Sequence, residues 1–131
     1  MVSKNDYDTL KATIYAEARG EIRDGQIAVA HVILNRARAN KPYWGGSTIA
    51  GVCRHPWQFE CWNNKNEIVI DDHAAYASIE EWLPNVLNGI TNDMTNGCDH
   101  YNNPQKENAD WVKNVEYVMD IGNHRFYRSW K

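Results

Sequence analysis

Residues 16–38 read AEARGEIRDGQIAVAHVILNRAR, and this stretch decides the fold. Its second half, Ile27 to Leu34, is apolar nearly all round apart from His31, as expected of a buried central helix. Asp24 is placed to cap that helix, and Asn35, Arg36 and Arg38 restore polarity where it ends. Its first half closes an earlier helix, from about Asp6 to Arg19, with Ser3, Asn5 or Asp6 as its cap and Gly20 as its stop. Tyr7, Leu10, Ile14 and Glu17 follow one another at spacings of 3, 4 and 3, which puts them on one helix face. A tight turn therefore joins two helices, and the second is sealed in the core.

Downstream, KPYWGGST at residues 41–48 is a loop, with Pro and two glycines. Ile49 to Cys53 is a short apolar piece, and HPWQFECWN at 55–63 crowds aromatics together. A third helical region runs from Asp71 or Asp72 towards Gly89, with Tyr76, Ile79, Leu83, Val86 and Ile90 as its apolar face. Pro84 inside it predicts a kink or two short helices. Thr91 to Asn108 reads as a long polar loop, the kind that carries function or moves. VEYVMDIGNHRFYRSW, at 115–130, predicts a β-hairpin turning at Gly122-Asn123. The reading is one α+β domain over residues 1–131, mainly helical, with a small C-terminal β-hairpin.

Composition excludes several function classes. Of 131 residues 43% are hydrophobic and 24% charged, enough to bury a core. A net charge of −3 argues against a nucleic-acid partner, which needs a basic face. No run reaches the roughly 20 apolar residues of a membrane span, so stable membrane insertion is not expected. MVSKNDYDTLK has no apolar signal-peptide core, so synthesis in a cytoplasm is expected. The odd count of cysteines (Cys53, Cys61, Cys98) favours free thiols, with a Cys53–Cys61 pair as the oxidised alternative. Neither CxxC nor HExxH occurs, and no metal or other cofactor is expected. The thirteen Trp and Tyr residues offer flat faces that stack on sugar rings and polar tips for hydroxyls.

Glu17 is the anomaly. A stripe of Tyr, Leu and Ile should continue with an apolar residue, and a carboxylate stands there instead. Desolvation at a core edge raises a carboxyl pKa and keeps a proton available for general acid catalysis. The pattern also allows a last-turn carboxylate paired with Arg19 or Arg23. Glu21 would share the face if the helix continued. Two carboxyls pointing the same way do not flank a glycosidic bond, which needs them about 5 to 9.5 Å apart across it. One catalytic carboxyl is therefore easier to defend than two. His31 reads as a core histidine and His100 as a loop histidine beside Tyr101 and Asn103-Pro104. No GxSxG, catalytic-cysteine or glycine-rich phosphate motif appears.

Taken together, AEARGE, then Gly25-Gln26, then a helix ending in Val32-Ile33-Leu34-Asn35-Arg36 resembles the opening of the SleB-type cell wall hydrolases, the spore-cortex-lytic family. Pro56, Gln58 and Phe59 resemble that family's Pro-x-Gln-Phe segment, and HYNNP at 100–104, with Trp111 and GNHRFY, resembles its loop and closing hairpin. The likeness runs from about Ile14 to Tyr127, with residues 62–95 alike only in helical character. It departs at Asn102, where the family often has Tyr.

The resemblance implies a lysozyme-like fold similar to the lytic transglycosylases, with Glu17 as the single catalytic acid. It also implies peptidoglycan glycan strands as substrate, cut between N-acetylmuramic acid and N-acetylglucosamine. Gln58, Phe59, His100, Tyr101, Asn103 and Glu21 are the substrate-binding candidates, with Trp57 and Trp62 as candidate stacking surfaces. Asp99, Glu60 and Glu21 are the second carboxylates a hydrolytic muramidase would need. A non-catalytic peptidoglycan-binding module is the other alternative. A monomer that reaches the wall after release from the cytoplasm, as a phage endolysin does, is the expected setting.

Overall fold

A computed structural model describes residues 2–63 and 65–130. The first helix, α1, spans Lys4–Ala18. Ser3 caps it: its hydroxyl accepts from the Asp6 N–H while Asp6 reaches back to the Ser3 N–H, a reciprocal capping box. Arg19, with ordinary right-handed backbone, ends the helix, so Gly20 is not needed for a left-handed stop. More of α1 is buried than its one stripe predicts, because Tyr15 and Thr13 face further elements. The Tyr15 hydroxyl donates to Asp71, and Thr13 Oγ1 accepts from the Trp62 indole.

The second helix, α2 (Arg23–Ala39), is the buried centre, as expected from its sequence. Its cap differs from the expectation. Ile22 is the N-cap, without a side-chain bond, and Asp24 sits in the first turn, where a carboxylate still complements the helix dipole. Asn40 closes it in the left-handed conformation that Asn tolerates. His31 is a satisfied core histidine, its Nδ1 3.2 Å from the Ile27 carbonyl.

A short turn of 3₁₀ helix (Pro42–Trp44) leads to α3 (Ile49–Arg54), capped by Thr48. Gly45 lies so close to α3 that a Cβ would stand 2.3 Å from the Gly51 carbonyl oxygen, which fixes the loop against the helix. The third helical region divides at Pro84, as its sequence predicts, into α4 (His73–Ile79, capped by Asp72) and α5 (Leu83–Leu87). Ile79, Leu83 and Val86 are buried, whereas Ile90 falls beyond α5 and is exposed.

The expected two-stranded hairpin is a three-stranded antiparallel sheet of order β1-β3-β2. The added strand, β1 (His100–Asn102), lies inside the segment read as loop, because three residues are too short to show a period. Strands β2 (Val115–Ile121) and β3 (His124–Ser129) turn at Gly122-Asn123 as expected. Gly122 has φ of 59°, in the region that favours glycine. β1 pairs with β3 in the register His100–Tyr127, Tyr101–Phe126 and Asn102–Arg125. The buried cluster joins α1, α2, α3, α4, α5 and Phe126 of the sheet, so the sheet closes one side of a helical core. Among the described residues, no helix is long and apolar enough to cross a membrane.

Candidate active site

A cleft of about 590 Å³ lies where α1, α2, the 55–63 segment and β1 meet. Glu17 comes from the last turn of α1 and Arg36 from the last turn of α2. His100 and Tyr101 of β1 line the cleft with Trp44, Trp57, Glu60, Asn63, Glu107 and Trp111.

Glu17 pairs with neither arginine that the sequence offered it. Arg19 binds Asp71 at 3.2 Å and Arg23 binds Glu81 at 2.6 Å. Burial is the main cause holding the Glu17 carboxyl above its ordinary value, and the charge of Glu60 adds to it. Donors from Cys61 and the Tyr101 hydroxyl, 3.3 Å from Oε1, pull the other way and fix the carboxyl in place. The Tyr101 phenol is itself pushed well above its ordinary value by burial and by Glu17. It therefore stays a hydrogen-bond donor to Glu17.

Gln58, Phe59 and His100 also reach the cleft. Phe59 serves two purposes, since it is 3% exposed and belongs to the core as well. His100 is gripped by Asp99 through Nδ1 at 2.8 Å and packs between the rings of Trp44 and Trp111. Asn103 and Glu21 are not among the cleft residues. Asn103 organises the turn after β1, accepting from the Gln105 N–H, while its own N–H donates to Glu107. Glu21 follows the helix end, where the turn carries it away from Glu17 and onto the sheet. It accepts from the Asn123 N–H at 3.0 Å and from the Asn123 amide at 3.1 Å. Burial raises the Glu21 carboxyl, but those two donors outweigh it and hold the group below its ordinary value.

Of the second carboxylates, Glu60 lines the cleft. Asp99 is occupied, its Oδ1 accepting from His100 and from the Ser129 N–H. Trp62 is packing, its indole on Thr13 and its ring under Arg54. Trp57 is 77% exposed at the rim. It occupies the third position of a turn closed by the Gln58 N–H on the His55 carbonyl, with Pro56 second. Its φ of 66° is one that turns usually give to Gly or Asn. For a bulky residue that backbone is strained, and strain of this kind gathers at functional sites.

Arg36, Trp44, Asn63, Glu107 and Trp111 were not singled out from the sequence as site residues. Arg36 carried the only usable signal, a basic residue on the last turn of a helix that is otherwise buried. The cysteines are free thiols. Burial pushes Cys53 up to about 12 and Cys98 up to about 11, and burial with Glu17 pushes Cys61 up as well. A thiol raised in this way is a poor nucleophile. Among the described residues, no three His, Cys, Asp or Glu side chains gather as a cation site.

The family model for Cell Wall Hydrolase matches residues 20–127, beginning three residues after Glu17. The chain belongs to the cell wall hydrolase family. It is similar to the spore cortex-lytic enzymes of Halalkalibacterium halodurans, 32% identical over 124 residues, and Bacillus subtilis, 34% identical over 125 residues. Each alignment takes in 95% of this chain but only 35% and 38% of the relative, so the chain spans little more than a third of their length. Among solved structures it resembles the catalytic domain of the germination-specific lytic transglycosylase SleB from Bacillus anthracis, with TM-score 0.75 and 28% identity over 96% of both chains. The catalytic domain of the Bacillus cereus SleB protein is alike to the same degree, covering 98% of this chain and 93% of that one. The mainly helical α+β class expected from the sequence is the class observed, shared with these cell wall hydrolases.

Proposed function

We propose that this chain cleaves peptidoglycan glycan strands between N-acetylmuramic acid and N-acetylglucosamine, as a lytic transglycosylase with Glu17 as its single acid and base. The observation that carries this reading is Glu17 itself: a desolvated carboxyl, free of any cation partner among the described residues, held by Tyr101 in a tryptophan-lined cleft. A strand laid in the cleft meets Trp44, Trp57 and Trp111 as ring-stacking surfaces.

Glu17, whose burial holds its proton more tightly than an ordinary carboxyl does, gives that proton to the glycosidic oxygen, and the C–O bond breaks to leave an oxocarbenium-like centre at the muramyl C1. The carboxylate left behind takes the proton of the muramyl 6-hydroxyl, whose oxygen closes on C1 as an anhydro ring. Glu17 ends protonated, so the cycle balances without a second carboxyl. Tyr101 assists the first half, because its O–H stabilises the carboxylate at the moment it forms. Membership of the cell wall hydrolase family and the likeness to a lytic transglycosylase of Bacillus anthracis support the same chemistry.

Replacing Glu17 by Gln is expected to reduce release of soluble fragments from purified peptidoglycan by at least about 10²-fold with the fold intact. Activity within tenfold of wild type sinks the assignment. Glu60 in the same cleft sustains the second reading, a hydrolytic muramidase in which Glu60 activates water.

A further inference from the structure

Arg36 is 8% exposed, yet none of the ion pairs among the described residues uses it. Its guanidinium lies against Trp44 and Phe59, at 5.4 and 5.8 Å from the ring centres. Its Nε donates to the Asp99 carbonyl at 2.7 Å, and its Nη1 donates to Gln58 at 2.8 Å. Burial without a carboxylate is costly for a cation, so its place at the cleft calls for a reason.

The bond to Gln58 has a definite polarity. Arginine has five N–H donors and no acceptor, so the Gln58 atom facing it is the carbonyl Oε1. The Gln58 amide nitrogen then faces the other way. It has no hydrogen-bond partner among the described residues, and Gln58 lines the cleft. Left free, a glutamine amide turns either end to a ligand; Arg36 removes that choice.

We propose that Arg36 is a positioning residue which holds Gln58 with only N–H donors towards the cleft, so that Gln58 takes an amide carbonyl of the ligand, the acetamido oxygen of an N-acetylated sugar. This rests on the reading of the cleft as a glycan site. A sugar hydroxyl both donates and accepts, and a fixed donor discriminates little among hydroxyls. The acetamido oxygen only accepts, and a buried-edge donor left without it is penalised. Charge alone predicts the opposite preference. Glu60 and Glu107 line the same cleft, and they would draw in the protonated amine of a deacetylated sugar.

The test is tryptophan-fluorescence titration of the intact chain with a tetramer of N-acetylglucosamine and with the fully deacetylated tetramer of glucosamine. Wild type is expected to bind the acetylated tetramer at least about tenfold more tightly. Gln58→Glu keeps the size and the bond to Arg36 but presents no donor, and its preference is expected to fall to about twofold or less. Arg36→Met, which frees Gln58 to turn, is expected to lower the preference at least about threefold. If Arg36→Met does not fold, Gln58→Glu decides alone. A wild type without preference, or a Gln58→Glu variant that keeps it, overturns the proposal. Wall cleavage by wild type, measured in parallel, keeps the two readings apart. Selective binding without cleavage removes the proposed function and leaves this inference standing. Cleavage without selectivity removes this inference alone.

Discussion

At the scale of single residues, the proposed role of Glu17 sets stability against chemistry. Its carboxyl binds a proton more tightly in the folded chain than in the unfolded one, with burial as the main cause. At a pH below the unfolded carboxyl value of about 4.3 both states are protonated and burial costs no ionisation energy. As pH rises through the window between that value and the raised folded one, the unfolded chain ionises first and the folded chain loses stability. Glu17→Gln removes this loss. Thermal unfolding is expected to show the variant above wild type in Tm at pH 7, with the gap closing by about pH 4. A gap of the opposite sign at pH 7 would contradict the desolvated carboxyl.

Tyr101→Phe probes the same group from outside. The lost O–H favoured the carboxylate, so the Glu17 pKa rises further and the alkaline limb of kcat/KM is expected to move to higher pH. A limb that stays in place would separate Tyr101 from the acid. In the sequence, Glu17 was visible because it broke a periodic stripe. Arg36 gave only a faint signal, because an arginine on the last turn of a helix is ordinary, and burial against Trp44 and Phe59 is what makes it unusual. Residues 99–128 reach the cleft or its supports through contacts far along the chain, such as Tyr101 to Glu17, which no local pattern reveals.

At the scale of elements, the α1–α2 turn and the β2–β3 turn are locked together through Glu21. Its carboxylate accepts twice from Asn123, and a Cβ on Gly122 would stand 2.7 Å from its Oε1. Glu21→Ala is therefore expected to cost about 1 kcal/mol in urea unfolding while wall cleavage stays within about twofold of wild type. Loss of cleavage with unchanged stability would return Glu21 to the site. The helices and the hairpin were legible because their periods extend over many residues, and Pro84 marked the division of α4 from α5. Strand β1 was hidden by its shortness: its pairing with β3 is a long-range contact, and its three residues include His100 and Tyr101, which line the cleft.

At the scale of the whole molecule, a buried helix, α2, holds α1 and the sheet on either side of one cleft, so the acid from α1 faces the phenol from β1. Trp44, Trp57 and Trp111 collect at that cleft although they stand far apart in the chain. The central claim is that this cleft breaks a glycan by one carboxyl. Mass spectrometry of the soluble products from purified peptidoglycan tests it most directly. The account predicts muropeptides with an anhydro-muramyl end, lighter by one water than hydrolytic products. Reducing muramyl ends would contradict the single-carboxyl mechanism and turn attention to Glu60, and intact glycan with free stem peptides would contradict cleavage of the strand itself.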